Sequence, residues 1–168
     1  AGKSRWKKFV NINKYSIGIE LVNKGHEFGY EKFTNIQLKS LIQLCHQLKR
    51  KYKIKNSNIV SHSDIAPQRK KDPGEKFPWE KLKKNKIGIW YKKANAKSKN
   101  FDNKKIRKLF FKNIFKIGYR YFDLNKEAKN DIFVVKAFQR RFYSENVTGQ
   151  IDQKTYIISH FLAKHIKN

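Results

Sequence analysis

The spacing of apolar and polar residues changes period several times along the chain. In "YSIGIELVN", residues 15–23, Ile17, Ile19 and Leu21 alternate with other residues, and this β-branched, period-two stretch predicts a strand. "NKGHEFGY" follows as a glycine-punctuated loop. Over 34–52, Leu38, Leu41, Ile42, Cys45, Leu48 and Tyr52 recur at helical spacing. Thr34 is the natural N-cap of that helix, and the Lys/Arg cluster at its far end suits the negative pole of the dipole. "NSNIVSHS", 56–63, reads as a second short strand ending near His62. Strand, helix, strand in that order predicts an α/β domain with a mixed sheet over residues 1–84.

Beyond Trp79 the pattern shifts. Residues 85–104 are rich in Lys and Asn around a short "IGIWY" and read as a linker or docking segment. Three helical stretches follow, at about 105–117, 126–143 and 152–165. Their apolar positions are Ile106, Leu109, Phe110 and Ile114, then Ile132, Val135, Phe138 and Phe142, then Ile158, Phe161 and Leu162. "NVTGQID" is a turn at Gly149 that leads into Asp152 as an N-cap. Residues 105–168 thus read as a small three-helix domain, and no internal repeat is visible.

Composition refines this picture. Apolar residues make up 39% and aromatics 14% of the 168 residues, enough to bury a core. No run of 18 apolar residues is present, so no segment of this chain reads as transmembrane. A net charge of +27 first suggests nucleic acid. Only seven of the 40 basic residues are Arg, however, and the Lys are spread along the chain. Lys, Asn, Ile, Phe and Tyr, all with A/T-rich codons, supply 87 of the 168 residues, so base composition accounts for much of the charge. Specific nucleic-acid recognition is not expected, whereas attraction to an anionic polymer is. The lone Cys45 excludes an intrachain disulfide and a Cys-rich zinc site, and reads as a small buried residue. The start "AGKSRWKKFV" and the lack of any Met suggest a fragment or a processed chain.

The chemistry concentrates in "SHSDIAPQRKKDPGEKFPW", 61–79. His62 and Asp72 carry good Zn²⁺ donor atoms, and Pro67, Pro73 and Gly74 restrict the loop between and after them. Lys70 lies two residues before Asp72, on the same side of an extended segment, where a cation could stabilise an oxyanion. The competing reading is a polar loop in which Asp72 pairs with a neighbouring Lys. Glu20 interrupts an apolar strand, as a buried general base or as a residue facing solvent. His26, in a glycine-flanked loop, is a candidate neighbour of metal or substrate, while His46, His160 and His165 read as ordinary helix residues.

"SIGIELVN", "HSDIAPQRKKDPG" and "FPW" together resemble the zinc-dependent N-acetylmuramoyl-L-alanine amidases of the type 2 family. They are closest in pattern to the Gram-negative branch that handles murein and anhydro-muropeptides. The similarity runs from about Ala1 to Leu82, with order, spacing and flanking glycines and prolines in agreement. It implies that His62 and Asp72 bind zinc, that Glu20 is the base acting on water, and that Lys70 stabilises the tetrahedral intermediate. "VVKAFQRRFYSENVTGQIDQKTYIISHFL", 134–162, is similar to the three-helix peptidoglycan-binding domain appended to some of these amidases.

One departure matters. The family draws a first zinc-ligand His from an early strand, and a Trp-His pair usually precedes an "AG" like Ala1-Gly2; neither is in this chain. The expectation is therefore an amidase domain lacking its N-terminal part, with a sheet edge exposed and with little or no activity as it stands. The parent activity implied is zinc-dependent hydrolysis of the amide between N-acetylmuramic or anhydro-muramic acid and L-alanine in peptidoglycan turnover. The alternative is an inactive peptidoglycan-binding remnant, with a nucleic-acid binder a third reading. The resemblance also implies a periplasmic or cell-envelope location, with an outer-membrane anchor in an N-terminal segment that this chain lacks.

Overall fold

A computed structural model describes residues 2–92 and 102–166. A two-stranded antiparallel hairpin comes first, with β1 (Arg5–Trp6) paired to β2 (Phe9–Val10). Six helices follow: α1 (Asn35–Tyr52), α2 (His62–Ile65), α3 (Trp79–Lys84), α4 (Asn103–Ile117), α5 (Asp131–Phe142) and α6 (Gln153–His165). No helix among the described residues is long and apolar enough to cross a membrane.

Local signals placed the helices well. Thr34 caps α1 through a reciprocal capping box with Gln37, and Lys53 closes the helix in the left-handed conformation. Leu38, Leu41 and Cys45 form its buried stripe. Asp152 caps α6 by accepting from the Thr155 amide at 2.7 Å. α5 begins at Asp131, five residues later than the spacing suggests, and Ile132 is on its exposed side.

The mixed sheet is not formed among the described residues. Residues 16–24 form no regular element and have no ladder partner, and Ile17, Ile19 and Val22 are exposed. Alternation specifies a strand only where a neighbour accepts its backbone bonds and a layer covers its apolar face, and this segment has neither. Its far end is held instead by Gln37 Nε2 donating to the Val22 carbonyl at 2.7 Å, and Leu21 rests on the core beside α1. The second expected strand is also absent. Residues 56–58 form a 3-10 turn, and His62 opens a helix rather than ending a strand.

Two apolar clusters support the molecule. One joins Leu38, Leu41 and Cys45 of α1 to Phe77, Trp79, Leu82 and Ile87. The other joins Phe110, Phe111, Ile114 and Ile117 of α4 to the inward faces of α5 and α6, with Trp6 of the N-terminal hairpin and Ile12 just after it inserted. Trp90 of the "IGIWY" stretch packs on both, so of the linker or docking segment expected at 85–104 the described part near Trp90 is docked; residues 93–101 of it lie outside the described residues. Trp6 meets Tyr119 edge to face at 5.0 Å and lies flush against Gly118, where an added Cβ would stand 2.5 Å from the indole. Trp6→Ala is expected to cost about 3–5 kcal/mol of unfolding free energy, measured by denaturant titration.

Candidate metal centre

The site is built on α2, a single turn whose placement is set by three contacts to one carboxylate. Ser61 caps the turn: the Asp64 amide donates to Ser61 Oγ at 3.0 Å, and the Ser61 amide donates back to Asp64 Oδ2 at 2.9 Å. Asp64 is fully buried. Its Oδ2 also receives the Arg141 Nη1 donor from α5, and its Oδ1 accepts the Tyr119 hydroxyl at 2.5 Å. Arg141 further donates to the Ile59 carbonyl at 2.8 Å, with its guanidinium 4.2 Å over the Trp79 ring. Burial first, then the charge of Asp64, pushes the Tyr119 hydroxyl well above its usual range, so it remains a donor.

α2 thereby presents His62 at its first position, with the side chain about two-fifths exposed. Asp72 returns to it: its carbonyl accepts the Ser63 amide at 3.1 Å, and its Oδ2 lies 2.9 Å from His62 Nδ1. The Asp72–Pro73 peptide bond is cis. Tyr30 clamps the loop that follows. Its hydroxyl donates to the Pro73 carbonyl at 2.6 Å and accepts the Lys76 amide at 2.9 Å. Gly74, at φ +83°, permits this approach, since a Cβ there would sit 2.5 Å from that hydroxyl. Burial, its largest influence, pushes the Tyr30 hydroxyl up to about 12.

Lys70 is half-buried on the loop between the pair, its amide bonded to the Ala66 carbonyl at 3.0 Å. Glu20 is exposed on the 16–24 segment and is not joined to His62, Lys70 or Asp72 by a hydrogen bond or ion pair. His26 sits against the site loop, with Nε2 3.0 Å from Glu75 Oε2 and its ring 4.5 Å from that of Tyr30. His46, His160 and His165 are exposed helix residues, as expected. Among the described residues no three His, Cys, Asp or Glu side chains gather as a metal site, so His62 and Asp72 stand as two donors.

Residues 1–75 match the family model described as N-acetylmuramoyl-L-alanine amidase. The chain superposes on AmpDH3 of Pseudomonas aeruginosa, solved in complex with anhydromuramic pentapeptide, with a TM-score of 0.81 and 30% identity over 98% of this chain and 68% of that one. The chain belongs to the N-acetylmuramoyl-L-alanine amidase family. AmiD of Escherichia coli K12 is 33% identical over 96% of this chain and 62% of its own length. Its structure, bound to the substrate anhydro-N-acetylmuramic acid-L-Ala-D-gamma-Glu-L-Lys, gives a TM-score of 0.82 at 31% identity, over 97% of this chain and 66% of that one. The anhydro-N-acetylmuramyl-L-alanine amidase AmpD of Haemophilus influenzae is 39% identical over 48% of this chain and 42% of its length. The chain thus spans 62% of the length of the curated amidase that it matches almost throughout.

Sequence reasoning missed Asp64, Arg141 and Tyr119. The S-x-x-D spacing of Ser61 and Asp64 is a capping signal that was available. Nothing local ties Asp64 to a residue 77 positions away. Asp64→Asn should cost about 3–5 kcal/mol by leaving Arg141 buried and uncompensated, and Tyr119→Phe about 1–3 kcal/mol, both read by denaturant unfolding.

Tyr30 generates a pH expectation. An unfolded tyrosine ionises near 10, whereas Tyr30 in the fold holds its proton to about 12. The stability it contributes is complete below pH 10 and is lost as pH rises through 12. Tyr30→Phe should flatten that part of the stability–pH curve, whereas an unchanged slope would show that other tyrosines carry it.

Proposed function

We propose that this chain is the part of a zinc-dependent N-acetylmuramoyl-L-alanine amidase that carries two metal ligands, the general base and the oxyanion lysine, acting in peptidoglycan turnover. One observation carries the reading: His62 Nδ1 and Asp72 Oδ2 converge to 2.9 Å on a clamped loop, in a chain whose relatives are amidases solved with muropeptides. An imidazole nitrogen and a carboxylate oxygen suit zinc, and His62 and Asp72 would hold it in place of the hydrogen bond between them. The chemistry that zinc supplies when bound is polarisation of the amide carbonyl and activation of water.

The remaining steps belong to the side chains of this chain. His62 and Asp72 fix the position of the scissile amide. Glu20 takes the proton of the attacking water, and the Lys70 ammonium faces the oxygen on which negative charge develops. For Glu20 to do so, the exposed 16–24 segment must lie closer to His62 when substrate is bound. The products are a free stem peptide and N-acetylmuramic or anhydro-muramic acid.

Residues 1–84 supply the catalytic half, and 105–168 a three-helix peptidoglycan-binding half joined through 85–104. The same reading puts the protein in the periplasm or cell envelope, where the polymer is. A hydrolytic zinc takes three protein ligands, and the described residues offer two, so the 168-residue polypeptide alone should bind zinc weakly and turn over slowly. A remnant that only binds peptidoglycan is the outcome at the limit of that argument.

The test is a zinc titration followed on the His62 ring by NMR, together with release of free peptide from an anhydro-muropeptide. Zinc should shift the His62 signals, and slow EDTA-sensitive release should vanish in His62→Ala and Asp72→Asn. Glu20→Gln should lower release by about 10²–10⁴-fold and Lys70→Ala by about 10²–10³-fold. Release that survives both EDTA and His62→Ala would overturn the zinc amidase reading. A chain that pellets with purified sacculi yet ignores zinc would leave binding as its function.

A further inference from the structure

The N-terminal hairpin carries a surface that the amidase chemistry does not use. Its register sets Arg5 opposite Val10 and Trp6 opposite Phe9. Cross-strand partners share a face, so Trp6 leads one side into the core while Arg5 and Val10 share the other. Phe9 stays exposed all the same, with the Tyr15 ring 5.7 Å away and the Lys8 ammonium 5.8 Å from its centroid. Val10 is 50% and Tyr15 69% exposed. Both faces of β2 are therefore open, and a partner would meet the hairpin along this edge.

The charge around that edge has one sign. Lys3, Arg5, Lys7, Lys8 and Lys14 all precede Glu20, the first acidic residue in the sequence. Lys7 is turned inward, its Nζ donating to Ser57 Oγ at 3.0 Å and to Asn58 Oδ1 at 2.8 Å. Arg69 joins from the loop between His62 and Asp72, donating to the Lys3 carbonyl at 2.8 Å. Burial raises the Tyr121 hydroxyl, and the charges of Arg5 and Arg69 both act against it, so the two guanidiniums lie within electrostatic reach of one ring. Among the described residues Arg5, Lys8 and Lys14 form no hydrogen bond or ion pair. Asp123, the acid nearest to Tyr121 in sequence, accepts the Asn125 and Lys126 amides.

The hairpin is fixed from behind. Trp6 anchors it in the core, the Lys7 amide donates to the Gly118 carbonyl at 2.8 Å, and the Asn11 amide donates to the Ser4 carbonyl at 2.9 Å. A nucleic acid would use the cations and leave Val10 without a partner. An uncharged glycan would use the rings and leave the cations idle. A bilayer with anionic headgroups uses both, because cations sit at the phosphates while apolar and aromatic side chains enter the boundary between headgroup and acyl chain.

We propose that this hairpin is a docking edge for an anionic lipid surface, with Phe9, Val10 and Tyr15 entering the interface and Arg5, Lys8, Lys14 and Arg69 on the headgroup phosphates. Charge complementarity selects the partner, since an acid-free edge with exposed apolar side chains matches a negative and partly apolar surface. The inference goes beyond the amidase reading and needs neither zinc nor muropeptide. It does carry a consequence for the site. Arg69 lies three residues before Asp72, within about 11 Å of chain even at full extension, so docking holds the metal pair beside the bilayer.

The test is co-sedimentation of the 168-residue chain, in EDTA, with vesicles of phosphatidylcholine alone and of phosphatidylcholine mixed equally with phosphatidylglycerol. The mixed vesicles should hold the chain and the neutral ones should not. A charge of +27 draws the whole molecule to any anionic surface, so the variants decide. Lys8→Glu should weaken binding about tenfold or more, and Lys39→Glu, the same change on an exposed lysine of α1, about threefold or less. Phe9→Ser combined with Val10→Ser should weaken it about tenfold at unchanged charge. A tryptophan introduced by Phe9→Trp should be quenched by brominated lipid. Equal losses from Lys8→Glu and Lys39→Glu would overturn the proposal, as would full vesicle binding by the double serine variant or an unquenched Phe9→Trp chain. The double serine variant should keep its circular dichroism and bind double-stranded DNA as the parent chain does. A parallel loss on DNA would reveal a general polyanion surface and would equally sink the lipid reading.

Discussion

The Asp64 carboxylate is the constraint on which the rest of the structure depends. A fully buried carboxylate is tolerable only if its charge and lone pairs are met, and here the Ser61 amide, the Tyr119 hydroxyl and Arg141 meet them. Each partner comes from a different part of the chain. Ser61 sets the start of α2 and so the direction of His62. Tyr119 follows α4, and Arg141 lies on α5. The position of a metal-ligand candidate near residue 62 is therefore fixed by residues 119 and 141, in the half of the chain that the family model does not reach.

The division between Arg and Lys follows the same physics. The two buried acids, Asp64 and Asp131, are each held by an arginine, Arg141 and Arg107 respectively. The lysine ion pairs, such as Lys24–Glu31, Lys84–Glu80 and Lys154–Glu145, are all at the surface. A planar fork fills several acceptors in a dry site, while an ammonium on a flexible stem stays hydrated at little cost. The charge of +27 is thus mostly a solvated coat, and the few arginines do the interior work. Arg140 is the exception, half-buried with no hydrogen bond or ion pair among the described residues and with Glu75 as its opposing charge.

What could be read from the chain follows from how far each signal reaches. The helices were legible because capping and 3.6-residue spacing are local: Thr34, Asp152 and the apolar stripe of α1 are all encoded within a turn or two. The His62–Asp72 contact was legible because the two lie only ten positions apart, with Pro67 restricting the loop between them, and the family resemblance named the pair. The strand at 15–23 was not, because its alternation describes a surface and not the neighbour needed to pair it. Glu20 inherits that difficulty, since its place depends on where that segment lies. Asp64 looked like one more polar residue in a polar loop, and its partners were beyond any window.

This arrangement bears on how the two halves work together. A helical module on a flexible tether could be removed without touching the surroundings of His62 and Asp72. Here Trp6 of the N-terminal hairpin and Ile12 just after it are buried against α4–α6, Trp90 bridges both clusters, and Asp64 takes its charge partner from α5. Removing the helical half would strip the covering from Trp6 and leave Asp64 a buried, unpaired charge at the base of His62. α4–α6 and the loop that carries His62 and Asp72 are therefore tied to one another by buried contacts on both sides of the chain rather than by a linker alone.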